Sequence, residues 1–192
     1  MTVSLTKGQS VPLANSTGAS LTYVRMGLGW DAVKKKGFLG RSKEQAIDLD
    51  ASAVLYDSGG TPVDQIWWKQ LKSQDGAVIH TGDNRTGLGD GDDESIEVHL
   101  DQLPANVAVI VFIVNSFTGQ NFSQIENAVC RLVDETNGQE ICRYELSGSG
   151  THTAQIMAKV SRTSQGWSMT AIGAVASGRT FKDLLPAIRP HL

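Results

Sequence analysis

The feature that most constrains the fold of this chain is a two-residue hydrophobic period that recurs along most of its length. In "AIDLDASAVLYD", Leu49, Ala51 and Ala53 alternate with Asp48 and Asp50. The stretches "SIEVHL", "LTYVRMGLGW", "GAVIHT" and "GWSMTAIGAVA" are also strand-like, and glycine-rich or polar breaks separate them. Side chains alternate across a β-strand, so this pattern predicts strands that bury one face. Many short strands joined by turns predict a mainly all-β fold, an antiparallel β-sandwich.

Helical and membrane signals are sparse. The segment "FKDLLPAIRPHL" has apolar residues at helical spacing, which predicts a short C-terminal helix limited by Pro186. The longest apolar run, "VAVIVFIV", has eight residues, which suits a buried strand and is far too short for a membrane span. No signal peptide is recognised and the two cysteines form no CxxC pair, so we expect a cytoplasmic protein. With 192 residues and 40% hydrophobic content, we predict a single domain over 1–192.

The stretch "AVCRLVDETNGQEICRYEL" predicts a β-hairpin, and its turn sets the register. A three-residue loop over 136–138, with its glycine in the left-handed conformation, places Leu132 opposite Cys142. In the same register, Cys130 faces Tyr144. A two-residue Asn-Gly loop would mix these residues with charged ones on one face, so we reject it. Both cysteines are therefore expected in the core as thiols rather than as a disulfide.

Negative charge is concentrated in one segment, 82–97, with the sequence "GDNRTGLGDGDDESIE". It holds six carboxylates, one arginine and four glycines, a local charge of −5, whereas the whole chain carries only −3. The rest of the chain is nearly balanced, at +2. Phosphate backbones would be repelled by the acidic segment, so no nucleic-acid partner is expected.

The acidic segment predicts a calcium site. Crowded carboxylates repel one another and glycines add an entropic cost to ordering, so the loop is unfavourable unless a cation offsets both; the alternative is a solvated β-turn. Calcium takes about 6–8 oxygens in irregular geometry, whereas magnesium needs a more rigid octahedron and keeps its waters. The candidate carboxylates are Asp83, Asp90, Asp92, Asp93 and Glu94, the neutral oxygens are those of Asn84 and Thr86, and the glycines that let carbonyls turn inward are Gly82, Gly87, Gly89 and Gly91.

A second source of ligands is the segment "DLDASA". Strand alternation puts Asp48 and Asp50 on one face, about 6.5–7 Å apart along the strand. Asp31, after the "GLGW" turn, is a further candidate. Eight carboxylates exceed what one ion uses, so two calcium ions are expected. The site is not an EF-hand, because Ala53 stands where the sharp-turn glycine of such a loop would be.

These residues resemble a known family. The stretches "GLGWD", "DLDASAVLYD", "HTGDNRTGLGDGDDESIEVHLDQLP" and "NAVCRLVDETNGQEICRYEL" are similar to the bacterial TerD family of tellurium-resistance and stress proteins, and the resemblance covers most of the chain. It implies a β-sandwich with a calcium site built from the two acidic segments. It also implies an operon-encoded stress system linked to tellurite resistance, phage or colicin tolerance and envelope surveillance, whose other proteins would be partners. Asp48 and Asp50 match the family's DxD, and Asp83, Asn84, Asp92, Asp93 and Glu94 match its acidic loop.

The sequence also departs from the family. Lys69 and Gln70 stand where relatives tend to have asparagine, and Ser123 stands where glycine is usual. The insertion over 34–45 lies in a variable region. These departures leave the calcium segments intact and bear on the choice of partners.

The leading hypothesis is a calcium-binding stress-response protein of a tellurite-resistance system, acting as a metal-ordered interaction module without catalysis. The rival is a two-metal phosphoesterase, because clustered aspartates can hold two metals. Against it, only Arg85 could clamp a phosphoryl group in that segment, and no general base stands out. Direct tellurite chemistry through Cys130 and Cys142 is a third alternative, and their expected burial argues against it.

Three other features leave alternatives open. His80 is either a neighbour of the metal site or a satisfied strand histidine, and the second is favoured. Trp67 and Trp68 would point to opposite faces of an extended strand, one into the core and one towards a partner. The basic run "KKKGFLGRSK" is either a solvated loop, which is favoured, or a contact with anionic lipid head groups at a membrane surface.

Overall fold

The computed structural model describes residues 2–31, 33–36, 42–45, 48–82, 84, 91–146 and 150–192, with the backbone alone for 33–36, 42–45 and 126. Alternating hydrophobic segments form strands throughout this part of the chain. The strands are β1 (Val3–Ser4), β2 (Ser10–Pro12), β3 (Tyr23–Asp31), β4 (Val33–Lys36), β5 (Ser42–Gln45), β6 (Leu49–Tyr56), β7 (Pro62–Ile66), β8 (Val78–His80), β9 (Glu94–His99), β10 (Val109–Ser116), β11 (Glu126–Asp134), β12 (Gln139–Glu145), β13 (Ala154–Thr163) and β14 (Gly166–Ala176). The helix α1 spans Phe181–Ile188, and 3₁₀ turns cover Phe122–Gln124 and Arg189–His191.

Two six-stranded sheets form the sandwich. The first sheet has the order β1-β12-β11-β3-β9-β8, and the second has the order β2-β14-β13-β10-β6-β7. All pairings within them are antiparallel except that of β1 with β12. Strands β4 and β5 pair with each other in a separate two-stranded sheet. The predicted mainly antiparallel β-sandwich with a short C-terminal helix is confirmed.

The core lies between the two sheets. Leu28 and Ile96 from the first sheet pack in one buried cluster with Ala53, Phe112 and Met169 from the second. Burial of these apolar faces is the main driving force for closing the sandwich. The faces that meet in the core are those that the two-residue period assigned to it.

The outer face of the second sheet is also buried, which the sequence did not predict. Every residue of β6 is buried, including Val54 and Tyr56 on the outer face. The cause is α1, because Phe181, Leu184 and Ile188 form a second apolar cluster with that face. In the described part of the chain no helix is long and apolar enough to cross a membrane.

The β11–β12 hairpin confirms the predicted register but not the predicted loop. Leu132 pairs with Cys142, as expected from the sequence, and Cys130 with Tyr144 in the same register. The strands close at Asp134, so the loop has four residues rather than three, and a bulge after Leu132 absorbs the difference. The glycine of the loop is left-handed, with φ 71°.

Both cysteines are free and buried, which confirms the expected core thiols. Burial is the main cause that raises the pKa of Cys130 and of Cys142, each to about 12. A thiol with so high a pKa is almost wholly protonated at neutral pH and is a poor nucleophile. This disfavours tellurite chemistry at these two residues.

Candidate metal centre

Glu94 of the acidic segment contacts the "DLDASA" strand of the other sheet. Glu94 begins β9, points into the space between the sheets and is 1% exposed. Its Oε2 accepts a hydrogen bond of 2.7 Å from the backbone N–H of Ala51, the residue after Asp50. That N–H is available because the pairing of β6 with β7 includes no residue before Ala53. One carboxylate therefore ties the first sheet to the second beside the paired aspartates.

His80 closes the same junction. Its Nε2 lies 3.2 Å from the carbonyl oxygen of Ala51 and 3.4 Å from Oε2 of Glu94. Its Nδ1 accepts a hydrogen bond of 3.1 Å from the N–H of Gly82. Because Nδ1 accepts from Gly82, Nε2 is the ring nitrogen that can donate towards Ala51 or Glu94. His80 is thus both a neighbour of the acidic segment and a satisfied strand histidine.

Asn84 joins the two ends of the acidic loop. Its Nδ2 donates to Oδ1 of Asp93 at 2.8 Å, and its backbone N–H donates to Oε1 of Glu94 at 3.2 Å. The other oxygen of Asp93 accepts from the backbone N–H of Trp30 at 2.9 Å, at the end of β3. Amide donors therefore link Asn84 to Asp93 and Glu94 at the two ends of the loop.

Burial raises the pKa of both Asp93 and Glu94. For Asp93, the nearby carboxylates of Asp31 and Asp92 raise the pKa further. For Glu94, hydrogen bonds from His80 and Ala51 oppose the effect of burial without cancelling it. Among the described residues, no lysine or arginine forms an ion pair with either carboxylate. The ionised forms are desolvated and have no lysine or arginine counter-charge among the described residues, which is the condition that a bound cation relieves.

Asp92 has a different environment on the outer face of the first sheet. Nη1 of Arg25 donates to Oδ2 of Asp92, and Nε of Arg131 donates to Oδ1 at 2.7 Å. The carboxylate lies directly over Gly27, where a Cβ atom would overlap it. A Cβ at Gly29 would lie 2.7 Å from the carbonyl oxygen of Gly91. The two glycines of β3 therefore let the loop cross the sheet at close range.

The two arginines extend this contact into an ion-pair network. Nε of Arg25 also lies 2.6 Å from Glu135, and Arg131 reaches Glu140, which Arg143 contacts at 2.6 Å. The sequence analysis missed this network. The glycines of "MGLGW" at two-residue spacing could have indicated a close approach over β3, but no local signal pairs residues of three separate strands.

Asn115 is a further polar residue that the sequence analysis did not select. It pairs with Asp50 across β10 and β6, and its Nδ2 donates to Oδ2 of Asp50 at 3.1 Å and to the carbonyl oxygen of Arg179 at 2.6 Å. Asn115 is 1% exposed, and its Oδ1 accepts no hydrogen bond from any described group. A buried amide oxygen without a donor, beside a carboxylate, suits a cation ligand. Its signal in the sequence was a polar residue at the end of a long apolar run.

Asp31 lies exposed at the end of β3. Its Oδ2 accepts a hydrogen bond of 2.6 Å from Nδ2 of Asn127, and its charge contributes to the raised pKa of Asp93. Asn127 has a φ of 51°, a left-handed conformation that few residues other than glycine adopt. It sits where the pairing of β11 with β3 is irregular. Asp31 and Asp93 thus lie near each other.

The structure brings together part of the predicted ligand set. Glu94 contacts the strand of Asp50, and Asp93 lies beside Asn84. Within the residues that the structure describes, no three acidic, histidine or cysteine side chains alone form a group that could hold a metal ion. The calcium site stays a prediction. Of the predicted ligands, Asp83, Thr86, Gly87, Gly89 and Asp90 lie outside the described residues.

Comparison with known proteins agrees with the resemblance seen in the motifs. Residues 1–186 match the family model described as the TerD domain. The chain is 50% identical to the tellurium resistance protein TerZ of Serratia marcescens, over 95% of this chain and 94% of that protein. It is 39% identical to general stress protein 16U of Bacillus subtilis (strain 168), over 93% of each chain. The crystal structure of a TerD homologue from Streptomyces coelicolor A3(2), at 21% identity, has the same fold with a TM-score of 0.71 over 86% of this chain and 96% of that chain.

Proposed function

The chain belongs to the TerD domain family of tellurium resistance and general stress proteins, and from that premise we propose that it is a calcium-binding module that acts without catalysis. The proposal rests on the electrostatic environment of the Asp93 and Glu94 carboxylates. Both carboxylates have raised pKa values because of burial, and among the described side chains neither is paired with a lysine or arginine. A divalent cation would supply the missing positive charge.

The residues that would hold the ion are carboxylates from both acidic segments. Asp93, Asp31, Asp48 and Asp50 would supply charged oxygens, and the unpartnered Oδ1 of Asn115 would supply a neutral one. The predicted ligands Asp83, Thr86, Gly87, Gly89 and Asp90 would complete the set, which suits two ions. Glu94 and His80 would hold the two segments together, because both already contact Ala51.

The donor set fits calcium rather than a transition metal. It consists of carboxylate and amide oxygens without sulfur, and the one histidine at the junction uses both ring nitrogens in hydrogen bonds. Hard oxygen ligands favour calcium or magnesium, and an irregular loop favours calcium. Once bound, the ion would neutralise and order the acidic loop, so that its surface could contact other proteins of the stress system.

Calorimetric titration of chelator-treated protein with calcium, and separately with magnesium, tests whether the ion binds. Thermal denaturation tests whether binding stabilises the fold. A ligand at about 100 times its dissociation constant adds about 2.7 kcal/mol of stability. For a chain of this size, the melting temperature should rise by about 5–10 °C and fall again when chelator is added.

Matched variants separate the site from general charge effects. Asp93→Asn and Asp50→Asn should each blunt the calcium response, whereas Asp101→Asn at an exposed turn should leave it unchanged. Equal melting curves with chelator and with millimolar calcium would refute the calcium site. Hydrolysis of a generic phosphodiester with Mn²⁺ or Mg²⁺, lost in Asp92→Asn, would instead support the phosphoesterase.

A further inference from the structure

A row of aromatic rings lies next to the acidic end of the second sheet. The rings of Trp67 and Trp68 are 5.4 Å apart, and Trp68 is 6.0 Å from Phe117, both edge to face. The chain turns at Trp67, so the two rings are in contact instead of on opposite faces of a strand. Trp67 also packs against Phe181 of α1 at 5.2 Å, which holds the row on the body of the protein. Phe117, with 41% of its surface exposed, is the outermost ring.

Two lysines accompany the rings. Nζ of Lys69 lies 4.5 Å from the ring centre of Trp68 and 5.5 Å from that of Trp67, and Nζ of Lys182 lies 5.5 Å from Trp67. Both lysines are exposed, and neither pairs with a carboxylate among the described residues. Asp183, the acid next to Lys182, instead accepts hydrogen bonds from the backbone at the start of α1. We call Trp67, Trp68, Phe117, Lys69 and Lys182 the aromatic–lysine patch.

We propose that the aromatic–lysine patch docks the protein on an anionic phospholipid surface. Aromatic rings prefer the boundary between head groups and acyl chains, because that boundary receives both their apolar and their polar parts. Lysines beside them gain attraction from anionic head groups, about 1 kcal/mol each. A lipid surface offers both features at once to a row of rings with unpaired lysines. An acidic protein segment is the rival occupant, and the test separates the two.

This surface is distinct from the basic run over 34–43, part of which lies outside the described residues. It adjoins the candidate metal centre, because the backbone N–H of Phe117 donates to the carbonyl oxygen of Asp48 at 3.2 Å. The lysines of the patch attract anionic lipid, whereas the metal-free acidic segment beside them opposes that attraction. The experiment is therefore done in chelator and repeated with calcium, and native and variant chains are compared within each condition, so that failure of the calcium site would not affect the comparison.

Tryptophan fluorescence can report the contact. The chain has four tryptophans, and Trp30 and Trp167 are buried in the core, so a change on adding vesicles reports Trp67 and Trp68. Vesicles of phosphatidylglycerol and phosphatidylcholine, about 3:7, should shift the emission to the blue and sediment the protein. Phosphatidylcholine alone should do neither. Binding should weaken as salt is raised, because the attraction is screened.

The variants are chosen to remain folded, since each changes an exposed side chain. The double variant Lys69→Glu/Lys182→Glu should weaken partition onto the anionic vesicles at least about tenfold, since each lysine accounts for about fivefold. Phe117→Ser should weaken it less. Lys7→Glu, an exposed lysine near His191, and Val175→Ser, an exposed apolar residue of β14, are the matched controls and should bind normally.

Three results would overturn the inference. One is the absence of binding to the anionic vesicles by the native chain. Another is equal weakening by Lys7→Glu and by the patch variants, which would indicate charge without a specific surface. The third is binding of a polyglutamate peptide in preference to vesicles, with loss in the same patch variants, which would assign the patch to an acidic protein partner.

Discussion

Asp92 and Glu94 are two residues apart, yet their carboxylates have opposite electrostatic environments. Asp92 lies on the outer face of the first sheet between the guanidinium groups of Arg25 and Arg131. Glu94 lies between the sheets and, among the described residues, accepts hydrogen bonds from two backbone N–H groups and lies beside the His80 imidazole. The first carboxylate has its counter-charge within the protein. The second is paired with no lysine or arginine among the described residues, and burial raises its pKa.

Because of this difference, Asp92 has one role in the acidic segment, and Asp93 and Glu94 have another. The arginine contacts hold the end of the loop on the sheet, over Gly27. Asp93 and Glu94 are then placed where a cation would lower the cost of their burial. A run of acids in a sequence is therefore not a uniform ligand set, because each side chain faces a different neighbour.

The largest expected effect comes from removing the buried member of the pair. In the presence of calcium, Glu94→Ala should lower the free energy of unfolding by about 3 kcal/mol or more. The N–H groups of Ala51 and Asn84 lose their acceptor, and the stabilisation that bound calcium provides is lost as well. Chemical denaturation with and without calcium measures the loss.

Glu94→Gln is the matched control for that variant. The amide keeps the shape and removes the charge but offers only one acceptor oxygen, so one of the two backbone N–H groups loses its acceptor. The chelated variant should therefore be less stable than the native chain, though more stable than Glu94→Ala, and calcium should add little. A calcium response of native size in Glu94→Gln would show that this charge is not among those that the cation offsets.

The next largest effect is expected from a substitution at Gly27, which lies beneath the Asp92 carboxylate. Gly27→Ala should destabilise by about 1–3 kcal/mol, since the new methyl group overlaps the carboxylate. Strand propensity alone would favour alanine over glycine, so the sign of the effect is diagnostic. In an Asp92→Ala background the same change should cost little, because the overlapping group is gone. A full loss in both backgrounds would mean that Asp92 is not what fills the space over Gly27.

Much of the fold followed from the sequence, whereas the division within the acidic segment did not. Alternation predicted the strands and the apolar face shared by β11 and β12, because these are local properties, although the loop around Gly138 is one residue longer than predicted. The partners of Asp92 come from β3 and β11, over a hundred residues apart in the chain. The two-residue period predicts that Arg25 and Arg131 point outward, but it does not identify the side chains that they contact. Burial of both faces of β6 likewise depends on where α1 docks.

A smaller effect is expected from neutralising Asp92 itself. Asp92→Asn should lower the free energy of unfolding by about 1 kcal/mol, because the ion pairs with Arg25 and Arg131 are partly exposed. Calcium should still stabilise the variant by nearly the native amount, whereas Asp93→Asn should lose that response. Titration calorimetry on the two variants compares them directly. Equal loss of calcium binding in both variants would show that Asp92 and Asp93 contribute alike to the calcium site.

The smallest expected effect is on the pH dependence of stability. Burial raises the folded-state pKa of Asp93 and Glu94, so without metal the folded protein holds protons that the unfolded chain releases. Stability from these groups is fully present below their unfolded pKa and is lost as pH rises through the folded value. In the arginine network the sign reverses: Arg143 lowers the pKa of Glu140, whose stabilisation is lost as pH falls through the folded value.

Denaturation curves of the chelated protein between about pH 4 and 7 measure this slope. Stability should fall with rising pH in the range of the raised carboxylate pKa values, and the fall should shrink in Glu94→Gln. Calcium should flatten it as well, because a bound cation favours the ionised carboxylates and returns their pKa values towards or below the usual range. If calcium leaves the slope unchanged, the buried carboxylates are neutralised by something other than the metal, and the contrast with Asp92 is one of location alone.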